Sequence, residues 1–154
     1  LRENPSPDDP LPDRSARIVA LARLWLGTPY HHQASLRGAG CDCLGLVRGI
    51  WRDLHGPEPE PVPPYTPDWG EAGGAETLRD AARRHLVEIA PEAAGPGDVL
   101  LFRWRTGAPA KHCGILSGKA RMIHAYDGHA VLESAVPAAW ARRVAYAFRF
   151  PPGP

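Results

Sequence analysis

In the stretch GCDCLGLVRGIWRDLHG, residues 40–56, a cysteine stands at the head of an apolar stripe. Cys43, Leu46, Val47, Ile50, Trp51 and Leu54 fall at i, i+3, i+4, i+7, i+8 and i+11, a 3.6-residue period that a strand does not present. Asp42 is the expected N-cap, and Gly56 the stop after the last periodic residue. The chain must therefore bury this helix by the face that carries the thiol. It must also place that thiol at a helix N-terminus, where unpaired N–H groups and the positive end of the macrodipole favour thiolate. A cysteine so placed is either a packed core thiol or a nucleophile, and the second reading needs a histidine within reach.

The flanking sequence predicts what the helix packs against. Residues 1–13 read as a polar, proline-rich arm and 14–150 as one domain. A helix is expected over 14–26, with Ile18, Leu21, Ala22, Trp25 and Leu26 inward, ending at Gly27-Thr28-Pro29-Tyr30. Residues 31–40 form a polar loop. PEPEPVPPYTPDW, 57–69, is an extended loop carrying Tyr65 and Trp69, suited to covering a cleft or docking on a partner. Residues 75–90 read as a surface helix with Leu78, Ala82, Leu86 and Ile89 inward. Strand-like runs follow at about 98–104, 112–117, 121–126, 130–134 and 143–150. In the last, Val144, Tyr146, Phe148 and Phe150 alternate with Arg143, Ala145, Ala147 and Arg149. N-terminal helices packed on a C-terminal antiparallel sheet of about five strands make an α+β fold.

Bulk properties narrow the function. A net charge of +1 over 154 residues gives no electrostatic case for nucleic acid. No apolar run approaches the length of a membrane span. The first residue is Leu1, and no signal-peptide pattern follows it. Cys41, Cys43 and Cys113 are odd in number, and the first two are too close to staple a fold, so all three read as free thiols.

The candidate base is His112. It opens a strand, and Gly114, on the same face, leaves room beside the imidazole. His124 follows on the next strand after the Gly118 turn, where short antiparallel pairing can set the two histidines side by side. A base needs a partner that fixes its tautomer, so His112 as base and His124 as orienter is a testable pair. Zinc is the alternative, with Cys41, Cys43, His31, His32, His112, Cys113 and His124 as donors. Against it, C-x-C is not a zinc knuckle, and adjacent strand residues 112 and 113 point to opposite faces. Cys41 and Cys113 read as core thiols, and His31 and His32 as solvated loop residues.

The chain at this point resembles the NlpC family of papain-like cell-wall cysteine peptidases. Five pieces occur in that family's order: Gly27-Thr28-Pro29-Tyr30, Asp42-Cys43-Leu44-Gly45-Leu46-Val47, Pro96-Gly97-Asp98-Val99, His112-Cys113-Gly114-Ile115 and Ile123-His124-Ala125. Leu44 departs from the serine usual in the nucleophile motif. The variant GCDCLGLVRGIW looks closest to the branch carried by tailed phages and gene transfer agents.

The resemblance implies a papain-like fold and hydrolysis of peptidoglycan stem peptides, typically at the amide between γ-D-glutamate and a diamino acid. It implies Cys43 as nucleophile, His112 as general base and acid, and His124 as the orienting residue. Tyr30 and Asp42 are the expected substrate contacts. No metal or other cofactor is implied. It also implies phage-like tail or baseplate proteins as partners, and a place on a particle that acts at the cell wall. Two alternatives remain open: a structural tail component that keeps the fold without activity, and a related cysteine amidase.

Overall fold

The structure, a computed structural model, describes residues 13–66 and 75–152. Residues 1–12 of the expected arm and Trp69 of the proline-rich loop lie outside the described residues. Helix α1 spans Arg14–Arg23, capped by Asp13, whose side chain accepts from the Ser15 N–H. It is shorter than the expected 14–26. Leu24, Trp25 and Leu26 instead bond three residues back, to Leu21, Ala22 and Arg23. That tighter winding turns Trp25 into the core at 3 % exposure and leaves Leu26 at 43 %, so the expected inward role of Leu26 is corrected.

A two-stranded ribbon, β1 (Ser35–Leu36) and β2 (Gly40–Cys41), leads into α2 (Cys43–His55). The Asp42 carboxylate accepts from Gly45 N–H at 2.7 Å, and Gly56, at φ 86°, ends the helix. Cys43, Leu46, Val47, Ile50 and Leu54 are buried, and Trp51 packs half-buried against the same cluster. Helices α1 and α2 meet over Gly49, where a Cβ would stand 2.0 Å from Trp25 Cζ2; only a glycine lets the indole lie on the helix backbone.

Helix α3 spans Thr77–His85, and here the expected 75–90 is wrong. Leu86 turns extended, and β3 (Val87–Ile89) pairs antiparallel with the strand at the far end of the chain. Val87 and Ile89 are β-branched and suit the pleat, and edge pairing supplies hydrogen bonds that a local pattern does not reveal. The remaining strands are β4 (Val99–Phe102), β5 (His112–Gly118), β6 (Arg121–His124), β7 (Leu132–Ala135) and β8 (Val144–Arg149), with a short helix α4 (Ala138–Ala141) before β8. They form a six-stranded antiparallel sheet of order β3-β8-β4-β5-β6-β7, one strand more than expected. The α+β architecture holds.

The alternation expected in β8 is broken. Tyr146 pairs with Leu101 but Val144 pairs with Phe102, so one extra residue sits between them. Val144 consequently packs with Phe102, and Tyr146 and Phe148 pack with the helices. One face of the sheet carries Val99, Leu101, Cys113, Ile115, Ile123 and Phe148 against α1 and α2. The other carries Leu100, Phe102, Leu116, Met122 and Ala147, with Trp104 and Trp140 packed over them.

Candidate active site

Two backbone braces set the head of α2. Cys41 N–H donates to Pro29 C=O at 3.0 Å and Cys41 C=O accepts from His31 N–H at 3.1 Å, which joins the Pro29–His31 segment to β2. Behind the first helical turn, a Cβ on Gly45 would lie 1.9 Å from the Ala34 carbonyl oxygen, so the loop presses directly on the helix there. Cys43 therefore leaves the cap from a site fixed on both sides. It is 5 % exposed.

Helix α2 lies on β5, whose first residue is His112. His112 lies close enough to Cys43 for its side chain and charge to favour the thiolate, and its Nε2 stands 2.9 Å from His124 Nδ1. The other ring nitrogen, Nδ1, is thus the one left for the sulfur. Register explains the second contact. Ile115 pairs with Ile123, so Gly114 falls opposite His124, and a Cβ there would meet His124 Cβ at 3.2 Å and Met122 Sδ at 3.0 Å. The space beside the imidazole is filled by the neighbouring histidine. The structure brings Cys43, His112 and His124 into one chain of contacts.

An aromatic enclosure surrounds the two imidazoles. The Trp104 ring lies nearly parallel to His112 at 5.7 Å, and Trp140 stands edge-on to both His112 at 5.7 Å and His124 at 5.5 Å. Tyr126 closes a further side, 5.5 Å from His112. These residues come from a loop, a four-residue helix and a strand exit, so no periodic pattern marks them. Both histidines are nearly fully buried, and burial, with the charges of His112 and His129, lowers the His124 pKa to about 4. His124 is neutral over the ordinary range. Where the His112 Nε2–H donates, His124 accepts at Nδ1 and carries its own proton on Nε2.

The three thiols differ sharply. A hydrogen bond from the Cys113 thiol, and the hydrogen bond and charge of His112, draw the Cys43 pKa down to about 5 against the opposing pull of burial. Cys113 is pushed well above the usual thiol range, first by that same bond and then by burial. Cys41, fully buried, is pushed up to about 12 by burial and by the charges of Asp42 and Cys43. Only Cys43 is a thiolate at neutral pH. Cys113 packs in the core as expected, in the same buried cluster as the candidate nucleophile.

Tyr30 is half-buried beside this centre. Burial raises its pKa first, and the Cys43 charge adds to that, which places the phenol in the field of the thiolate. Pro29 and Tyr30 line a shallow depression with Asp127–Ala130. Asp42 is 1 % exposed, and its oxygens take Gly45 N–H, Gln33 N–H at 2.7 Å and the Tyr65 hydroxyl. The chain's own donors occupy the carboxylate, a departure from the expected substrate contact. The structure makes it the knot between helix cap, loop and Tyr65.

Tyr65 carries the described part of the proline-rich loop onto the site. Its carbonyl receives Gln33 Nε2 at 2.7 Å and lies 2.9 Å from His32 Nε2, so His32 is tied rather than merely solvated. Further along, Glu58 pairs with Arg48 at 2.6 Å and Arg52 at 3.1 Å. Between this loop, α2 and α3 lies a cavity of about 370 Å³, with Leu44 and Cys113 in its wall. Among the described residues, no three His, Cys, Asp or Glu side chains are grouped to hold a metal ion. No described helix is long and apolar enough to cross a membrane.

The geometry has relatives. The model of the NlpC/P60 family matches residues 27–149. The chain is 30 % identical, over 112 residues, to a gamma-DL-glutamyl hydrolase of Bacillus subtilis; the match covers 70 % of this chain and spans 22 % of that protein. Among solved structures, the NlpC/p60 domain of the peptidoglycan hydrolase SagA superposes with a TM-score of 0.63 at 24 % identity, over 90 % of this chain and all of that one. The peptidoglycan hydrolase RipB of Mycobacterium tuberculosis gives 0.55 at 19 % identity, over 90 % of this chain and 68 % of that one. These likenesses show the shared fold. The chain belongs to the NlpC/P60 family, whose members are papain-like cysteine peptidases of the cell wall.

Proposed function

We propose that this NlpC/P60 chain hydrolyses peptidoglycan stem peptides, at the amide between γ-D-glutamate and a diamino acid, through a thioester on Cys43. The observation that carries the reading is one contact chain, Cys43 to His112 to His124, in which only Cys43 is poised as thiolate. The Cys43 thiolate attacks the carbonyl carbon, and the Cys43 backbone N–H at the helix head helps hold the oxyanion. Protonated His112 gives its Nδ1 proton to the leaving amine. The amine departs and the thioester remains. His112, now neutral, takes a proton from water, whose oxygen cleaves the thioester and returns the Cys43 thiolate beside protonated His112. His124 holds the His112 ring through Nε2 and, being neutral, does not compete for the proton. Tyr30, in the field of the thiolate, contacts the substrate backbone, and Asp42 acts by fixing the cap and the Tyr65 loop.

The γ-glutamyl bond choice has support in the name of the Bacillus subtilis relative, which matches over part of its length. Placement in a phage-like or gene-transfer-agent tail, acting at the cell wall beside tail or baseplate proteins, has its support in the motif GCDCLGLVRGIW alone. Detection of the chain in purified particles tests that placement. The enzymatic reading is tested by digesting purified peptidoglycan and identifying products by mass. The native chain is expected to release cut stem peptides and Cys43→Ala none. Equal release by both would remove Cys43 from the mechanism, and no release by either would leave the structural-component reading standing.

A further inference from the structure

We propose that Trp140 is a positioning residue for the histidine pair, its indole set against His112 and His124 at once and fixing the angle between their rings. The inference rests on the reading of Cys43, His112 and His124 as one site. Among the described residues, no carboxylate or backbone carbonyl bonds either imidazole; the hydrogen bond that holds them runs between the two, Nε2 to Nδ1 at 2.9 Å. Each ring can turn about its Cβ–Cγ bond, where the torsion is broad, so that one bond does not set where either plane lies. The planes nevertheless stand 72° apart, with centroids 5.1 Å apart. Packing has to hold them there. Trp140 meets His112 at 5.7 Å and 77°, and His124 at 5.5 Å and 82°. It also meets the other rings of the enclosure, Trp104 at 4.6 Å, Tyr126 at 5.4 Å and Phe102 at 5.8 Å. Trp104 and Phe102 pack on His112, and Tyr126 stands farther from His124, at 6.1 Å. Trp140 is the ring that stands square to both imidazoles.

Helix α4 delivers this one ring. Ala138, Ala139 and Ala141 are exposed, and Trp140 is half-buried between them. The segment is tied at both ends. Val136 N–H donates to Ala120 C=O at 2.8 Å before the helix, and Arg143 N–H donates to Trp140 C=O at 2.7 Å after it. Arg143 C=O in turn accepts from Arg103 N–H at 2.9 Å, one residue from Trp104. Covering apolar surface does not ask for an indole here. The cluster beneath consists of Leu100, Phe102, Leu116, Met122 and Ala147, and a leucine would also shield it. What a leucine lacks is a flat ring with a negative face and a positive edge, whose perpendicular fit resists rotation of its neighbours. Rotation matters because the two nitrogens of His112 have different tasks. Nε2 faces His124, and Nδ1 is left for the Cys43 sulfur. A turn of either ring breaks the bond between them and takes the proton out of line with the substrate.

The first readout needs no substrate. Long-range proton–nitrogen correlation spectra of the imidazoles are recorded near neutral pH, where His124 is uncharged, for the native chain, Trp140→Phe and Trp140→Leu. The His124 signals are assigned by their loss in His124→Asn. In the native chain His124 is expected to show one tautomer, bare at Nδ1 and protonated at Nε2. In Trp140→Leu its two nitrogen shifts are expected to average, and in Trp140→Phe, which keeps a flat ring, to separate again. Turnover of a soluble stem peptide is expected to follow, with kcat about tenfold lower in Trp140→Leu at a KM within about twofold, and recovered to within about threefold in Trp140→Phe. One unchanged tautomer in all three proteins would overturn the proposal, as would averaged shifts in the native chain or a phenylalanine variant that behaves like leucine. Averaged shifts in a leucine variant with native turnover would overturn it too. If Trp140→Leu does not melt cooperatively, Trp140→Met makes the same comparison. A tautomer lost in leucine and regained in phenylalanine, in a chain that leaves stem peptides intact, would sink the substrate reading and spare this one.

Discussion

Replacing His124 by asparagine isolates one proton. His124 is 4 % exposed, and burial, followed by the charges of His112 and His129, holds its pKa at about 4 against an ordinary 6.5. The unfolded chain takes up a proton that the folded chain refuses. Between those two values the unfolded state binds more protons, so stability rises with pH through the window and is lost as pH falls through it. Integrated from about pH 7 to about pH 4.5 and reduced for partial solvent screening, this one site removes about 2 kcal/mol. Asparagine does not titrate, and its shorter side chain costs the same at both pH values. Urea unfolding of both proteins at the two pH values measures the term as a double difference, in which every carboxylate common to both cancels. The native chain is expected to lose about 2 kcal/mol more than His124→Asn on acidification. An equal loss in the two proteins would refute the claim that the fold keeps this imidazole neutral, and with it the assignment of the His112 Nε2 proton as the donor between the rings.

Two further substitutions test the frame around the site. Gly49→Ala puts a methyl 2.0 Å from Trp25 Cζ2, and the overlap is expected to destabilise by about 1–3 kcal/mol despite a helix-propensity gain of about 1 kcal/mol; a melting temperature at or above that of the native chain would show that α1 and α2 do not meet there. Tyr65→Phe removes the hydroxyl that donates to buried Asp42 while keeping the ring beside His32, and is expected to cost about 1–2 kcal/mol in urea unfolding and to speed proteolytic nicking of residues 57–66, neither of which should change if the loop is held by its prolines alone.

What could be read from residues alone divides along a physical line. The helix Cys43–His55 was legible to the residue because period, cap and stop are all local, and Asp42 and Gly56 do there what their side chains dictate. The approach of His112 to His124 was legible for a related reason: a short turn between antiparallel strands brings the two near each other and Gly114 leaves room beside the imidazole, although an irregularity between Leu116 and Gly118 sets the final register. The failures all turn on partners distant in the chain. Leu86–Ile89 carries a helical pattern, yet becomes strand because β8, some sixty residues on, offers it an edge. Trp25 lies buried over Gly49 while Leu26 stays exposed, and Tyr65 gained its role through Asp42, Gln33 and His32, the nearest 23 residues away.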